Sequence, residues 1–121
     1  MAGVETKSLN SPDETRTPDK TELSLVNLGG VSAGRLVAQP GWKWSECIKP
    51  VVGTESCESH HFGYVEAGRM HVVHSDGTEA DITAGDIYVI EPGHDAWVVG
   101  DEPFVGLEFD SKTAQEYAAG S

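Results

Sequence analysis

The chain has 121 residues, with 8 Lys or Arg against 20 Asp or Glu and 38% hydrophobic side chains. That length makes one domain, large enough to fold without a metal ion or a disulfide as a staple. A formal charge of −12 argues against any polyanion-binding surface, so neither nucleic acid nor an anionic membrane is an expected partner.

Residues 1–20 are rich in Ser, Thr, Pro, Asp and Lys and hold almost no large apolar side chain. Such a segment cannot offset its ordering entropy by burial, and the expectation is a flexible tail or an arm laid on a partner. It lacks the apolar core of a secretory signal, and no apolar run approaches the ~20 residues of a membrane helix. A cytoplasmic protein is expected. Its two cysteines, Cys47 and Cys57, then read as free thiols or ligands rather than a bridge.

From residue 21 to 121 the chain is written in strands. Residues 22–28 (ELSLVNL) alternate and stop at Gly29-Gly30. Residues 33–40 (AGRLVAQP) follow, closed by Pro40-Gly41. Residues 42–48 (WKWSECI) alternate as a strand would, with Trp42, Trp44 and Glu46 on one side and Lys43, Ser45 and Cys47 on the other. Residues 62–68 (FGYVEAG) lead into 69–82, where Asp76-Gly77 between two strand-like runs is a hairpin signal. Residues 85–93 (GDIYVIEPG) hold an apolar strand between turn glycines, and residues 95–109 give two more strands around Gly100-Asp101-Glu102-Pro103. Only residues 111–119 (SKTAQEYAA) have a helical cast. Short strands with frequent turns and no alternating helices predict an all-β sandwich or barrel.

Ligand-type side chains gather in residues 56–70, SCESHHFGYVEAGRM, which carry Cys57, His60 and His61 ahead of a run closed by Gly68. His94 follows the Pro92-Gly93 turn. A thiolate and two imidazoles suit zinc, iron or copper better than magnesium or calcium. Cys57 and His61 lie four apart, roughly 13 Å along a straight strand, so they can share an ion only if Glu58-Ser59-His60 turns the chain. His60 reads as a surface residue or an alternative ligand, His71 and His74 as strand-surface residues. Trp42 or Trp44 can line a cavity, Trp97 points away from one, and Phe62, Tyr64, Tyr88 and Phe104 read as barrel packing. Glu66, Glu91 and Asp95 are candidate acids or bases. No Ser-His-Asp arrangement and no phosphate-cradling glycine loop is present.

Residues 63–103 resemble the cupin superfamily of small jelly-roll β-barrels. The resemblance lies in the run Tyr64-Val65-Glu66-Ala67-Gly68, a strand with an Asp-Gly hairpin, Gly85-Asp86 before an apolar strand, and Pro92-Gly93 before the next. Counted back from Gly68, the family's motif Glu falls on His61, its second His on Cys57 and its first on Glu55. In the second motif the His position falls on Ala96 and the Asn position on Gly100, with His94 close by. The frame matches while the ligands differ. The resemblance implies a metal site of Cys57, His61 and His94, with Glu55 as a possible fourth member. It also implies a small-molecule ligand or substrate and pairing into a homodimer, for which the tryptophans of residues 42–46 offer surface. Catalytic residues do not follow from it.

Overall fold

The computed structural model describes residues 3–109. Nine strands follow in chain order: β1 (Glu14–Arg16), β2 (Thr21–Leu28), β3 (Val31–Ala38), β4 (His61–Ala67), β5 (Arg69–His74), β6 (Glu79–Thr83), β7 (Ile87–Ile90), β8 (His94–Val98) and β9 (Phe104–Phe109). All strand pairs are antiparallel. They form a six-stranded sheet ordered β1-β2-β3-β9-β4-β7 and a three-stranded sheet ordered β6-β5-β8. The fold is an all-β cupin jelly roll, as the turn glycines and strand lengths predict.

The hairpin joining β2 and β3 is closed by Gly29 (φ 55°) and Gly30 (φ 81°). A two-residue turn with both central residues at positive φ matches the twist of the strands it joins. The β5–β6 hairpin turns at Asp76-Gly77, where the Asp76 carboxylate accepts from the Thr78 N–H at 2.9 Å. In β4 a register shift falls between Val65 and Ala67, ahead of Gly68.

Residues 42–48 do not form the strand that their alternation predicts. They turn after Gly41 into two single-turn helices, α1 (Trp44–Cys47) and α2 (Lys49–Val52). The exposed N–H groups at a helix start need an acceptor. For α1 that acceptor is the Asp95 carboxylate on β8, 3.1 Å from the Ser45 N–H. Pro50 opens α2, and Gly53 in the left-handed region ends it. Both Trp42 and Trp44 are 2% exposed, so the aromatic surface expected there for pairing two chains is part of the core.

The N-terminal stretch is partly woven into the sheet. β1 pairs with β2, the Asp13 carboxylate accepts from Lys7 and from the Asn27 N–H, and Arg35 donates to the Leu9 carbonyl and to Asn10. The helical expectation for residues 111–119 lies outside the described residues.

The core sits between the two sheets and is built around Trp44, Phe104, Ile48 and Val65. Each such side chain stabilises the fold by about 1.5–3 kcal/mol through burial. Tyr88 and Phe104 pack inward as expected, whereas Phe62 and Tyr64 point outward, 46% and 37% exposed. They fall on the outer parity of β4, opposite Val89 and Ile87 of β7. β6 and β7 are each the edge of their sheet. A groove of about 380 Å³ lies along them, walled by Ala80 and Ile82 on one side and Ile87 and Val89 on the other. Among the described residues no helix is long and apolar enough to cross a membrane.

Two glycines separate backbone strain from crowding. Both Gly68 (φ +82°) and Gly85 (φ +97°) hold a conformation that L residues resist. A Cβ at Gly85 meets open space, but one at Gly68 lies 2.8 Å from the Phe104 Cα and against the Pro103 carbonyl. Gly85→Ala is expected to cost about 1–2 kcal/mol, and Gly68→Ala about 1–3 kcal/mol more. Thermal unfolding of the two variants beside the parent checks the order.

Candidate metal centre

The site is assembled by a short backbone pairing. The Cys57 N–H donates to the His94 carbonyl at 2.7 Å, and the Gly93 N–H donates to the Cys57 carbonyl at 2.7 Å. Cys57 is thereby fixed beside the start of β8, and residues 58–60 leave the strand path before β4 begins. This detour is what lets residues four apart meet. Cys57 Sγ lies 3.5 Å from His61 Nε2. The His61 and His94 rings stand edge to face, with centroids 5.0 Å apart. One donor atom from each of Cys57, His61 and His94 lies within 4.8 Å of the others, and the three residues are 1%, 6% and 4% exposed.

Each imidazole is oriented from behind. His61 Nδ1 is 2.7 Å from Glu108 Oε1, and His94 Nδ1 donates to the Glu91 carbonyl at 2.8 Å. Nε2 is left as the donor atom that each ring offers the cluster. Carboxylates and carbonyls in this backing position fix ring orientation and raise ligand basicity at metal sites. Glu108 is itself buried, and its Oε2 accepts from the Tyr88 hydroxyl at 2.8 Å.

The polar pair is tuned by this geometry. Burial disfavours the Cys57 thiolate, but hydrogen bonds from His61 and His94 and their charge outweigh it and bring its pKa from 9.0 to about 7. Burial likewise disfavours the His61 imidazolium, but the charge of Glu108 and the bond to Cys57 outweigh it and raise its pKa from 6.5 to about 10. Between those values the pair is thiolate and imidazolium, with one ring proton facing sulfur and the other facing Glu108. The raised His61 pKa gives stability that is full below pH 6.5 and lost as pH rises through about 10. The lowered Cys57 pKa gives stability present above pH 9.0 and lost as pH falls through about 7.

The donor set also fits an ion. Bonds of about 2.3 Å to sulfur and about 2.0–2.1 Å to nitrogen, at a tetrahedral angle, place sulfur and nitrogen about 3.5 Å apart. The Cys57–His61 contact has that length. The three donors face a cavity of about 30 Å³ that Trp42, Trp44 and Tyr88 also line.

The structure thus gathers Cys57, His61 and His94, and it leaves other sequence candidates outside. Glu55 is exposed and pairs with Lys49 at 3.2 Å. His60 is exposed and faces Glu91 at 3.7 Å. Glu66 lies on the outer face of β4, and Asp95 is occupied with the Ser45 and Ala96 N–H groups. His71 pairs with Asp81 and Glu79 and stacks on Trp97, while His74 reaches the Pro92 carbonyl. The sequence reading missed Glu108. Its signal was parity: in FVGLEF of β9, Glu108 shares the inward side with Phe104 and Gly106. Cys47 and Cys57 are both free and buried.

No family model matches the sequence, and no curated protein does. Solved structures do. The cupin domain of Schizosaccharomyces pombe Cnp3 is 15% identical with a TM-score of 0.59, over 95% of this chain and 80% of that one. KdgF from Halomonas sp. is 17% identical with a TM-score of 0.58, over 81% and 86%. The oxalate decarboxylase of Lactobacillus farciminis, in a formate complex, is 22% identical with a TM-score of 0.57. The match covers 79% of this chain but 30% of the decarboxylase. These likenesses establish the fold as that of the cupins.

In metal-free protein, the ultraviolet absorbance of the Cys57 thiolate is expected to grow in with a midpoint near pH 7. His61→Gln moves that midpoint upward, because the variant removes the partner that most favours the thiolate. An unmoved midpoint would show that His61 does not govern the thiol.

Proposed function

We propose that this chain is a metal-binding cupin that holds one transition-metal ion through Cys57, His61 and His94 and presents it to a small organic molecule. The observation that carries this reading is the convergence of three buried donors, with both imidazoles held from behind by Glu108 and the Glu91 carbonyl. Zinc, iron or copper suits the donor set. Three protein ligands leave a coordination position open. A bound ion would supply Lewis acidity, or redox chemistry if it is iron or copper, for an oxidation or isomerisation. The protein's own part is to exclude water with the apolar cavity wall and to set ring orientation through Glu108. Holding an ion would require the Nε2 proton of His61 to leave, with Glu108 still bonded to Nδ1.

A second reading, a cupin that binds or senses a small ligand without turning it over, has one observation in its favour. Glu108 lines the cavity, but its two oxygens are engaged by His61 and Tyr88 and are not poised to take a proton from a ligand. A ligand recovered unchanged after it raises the melting temperature supports this reading, and a converted product rejects it.

Elemental analysis is expected to find about one ion per chain, lost in a Cys57→Ala His61→Ala double variant. Glu108→Gln keeps the three donors and weakens metal affinity about 10–100-fold. Near pH 8, zinc binding to metal-free protein releases about one proton, seen with a weakly buffering indicator. Full metal content in the double variant, or none in the parent after addition of zinc, iron or copper, rejects the centre.

A further inference from the structure

Among the described residues the two sheets have four edges, β1 and β7 of one and β6 and β8 of the other. An open edge offers N–H and C=O groups to any passing strand, so native edges are charged, interrupted by proline or covered. β1 carries Glu14 and Arg16, and β6 carries Glu79 and Asp81. β8 is covered by the bridges from Lys43 to Trp97 and from Cys57 to His94. β7 is bare. It reads Ile87-Tyr88-Val89-Ile90, without charge or proline, and Ile87 and Val89 are 65% and 58% exposed. The Val65 N–H donates to the Asp86 carbonyl at 2.9 Å. Antiparallel ladders alternate, so Tyr88 and Ile90 continue that bonding to β4, and the backbone groups of Ile87 and Val89 face the open side. On that side lies the groove between β6 and β7, with Val72, Ile82, Tyr88 and Ile90 as apolar surface. Asp76, Glu79 and Glu91 supply exposed acids. Among the described residues that line it there is neither Lys nor Arg.

We propose that β7 accepts an extended segment of another protein as an added strand, apolar along its middle and carrying Lys or Arg at its ends. Backbone bonds to Ile87 and Val89 hold the segment, alternate side chains pack on the apolar surface, and the terminal cations answer the acids of the groove. A second copy of this chain is the poorer occupant. Antiparallel pairing of two β7 strands in full register sets Asp86 of each copy beside Glu91 of the other. Like charges then meet at both ends, between chains that each carry a formal charge of −12. The inference rests on the sheet edges and not on any ion or ligand in the inner cavity.

The probe is a synthetic peptide, Lys-Thr-Val-Thr-Val-Thr-Arg, with a fluorophore at its N-terminus. The full chain is titrated into it and fluorescence anisotropy is followed. Saturable binding is expected. A proline at the centre of the peptide, or Glu in place of its Lys and Arg, weakens binding about tenfold or more. In the chain, Val89→Pro deletes a backbone donor on the open side and keeps the bonds to β4. It is expected to weaken binding about threefold to tenfold. Glu79→Lys together with Glu91→Lys reverses the preference, so that the Glu-ended peptide binds the more tightly. This double variant changes exposed side chains alone, and it decides the matter if Val89→Pro fails to fold. Absence of saturable binding to the parent chain, or equal binding of the peptide with the central proline, overturns the proposal. So does a parent dimer in sedimentation that Ile87→Lys breaks, because a second copy would then hold the edge.

Discussion

A protonated imidazole inside a barrel of this size needs a countercharge within hydrogen-bonding distance, and Glu108 supplies it to His61 at 2.7 Å. The rest of the site hangs on that contact. It fixes the ring so that Nε2 faces Cys57, and it favours the imidazolium that in turn favours the thiolate. Removing one partner of a buried pair costs about 3–5 kcal/mol, because the other charge stays behind without compensation. Tyr88 completes the arrangement by holding the second carboxylate oxygen. The same contact, 3.5 Å from Cys57 Sγ to His61 Nε2, has the separation that two ligands of one tetrahedral ion would need.

Most of the barrel was legible in the sequence because turn chemistry is local. Gly29-Gly30, Asp76-Gly77 and the glycines at 68, 85 and 93 each mark a place where the backbone bends for reasons that neighbouring residues contain. The segment 42–48 misled for the opposite reason. Its alternation is genuine, but the acceptor that favours a helical turn there is Asp95, brought alongside by β8. Phe62 and Tyr64 misled in another way: their size suggested burial, while the parity of β4 puts His61, Gly63 and Val65 inside instead.

The site was legible in part. Cys57, His61 and His94 could be picked out by residue type and by their place in the cupin frame. That they meet depends on the Cys57–His94 backbone pairing, which no local pattern announces. Glu108 lies 47 residues from His61, so only strand parity pointed to it. The frame and its ligands separate here. Barrel geometry offers fixed positions around one cavity, and many donor sets can occupy them. The solved structures that share this barrel therefore speak to its shape, and the donors of this chain speak to its chemistry.

The unjoined edges of β6 and β7 have a dynamic consequence. Ile82, Tyr88 and Ile90 belong at once to the outer groove and to the inner cavity. On this flank the partition between solvent and site is made of side chains and not of a backbone ladder. Joining the two spaces would take a rearrangement of side chains and not the unzipping of a sheet. A shift of the Tyr88 ring would also move the hydroxyl that steadies Glu108, and through Glu108 the ring of His61. The outer wall of the cavity and the ring of His61 are thus linked through one hydroxyl.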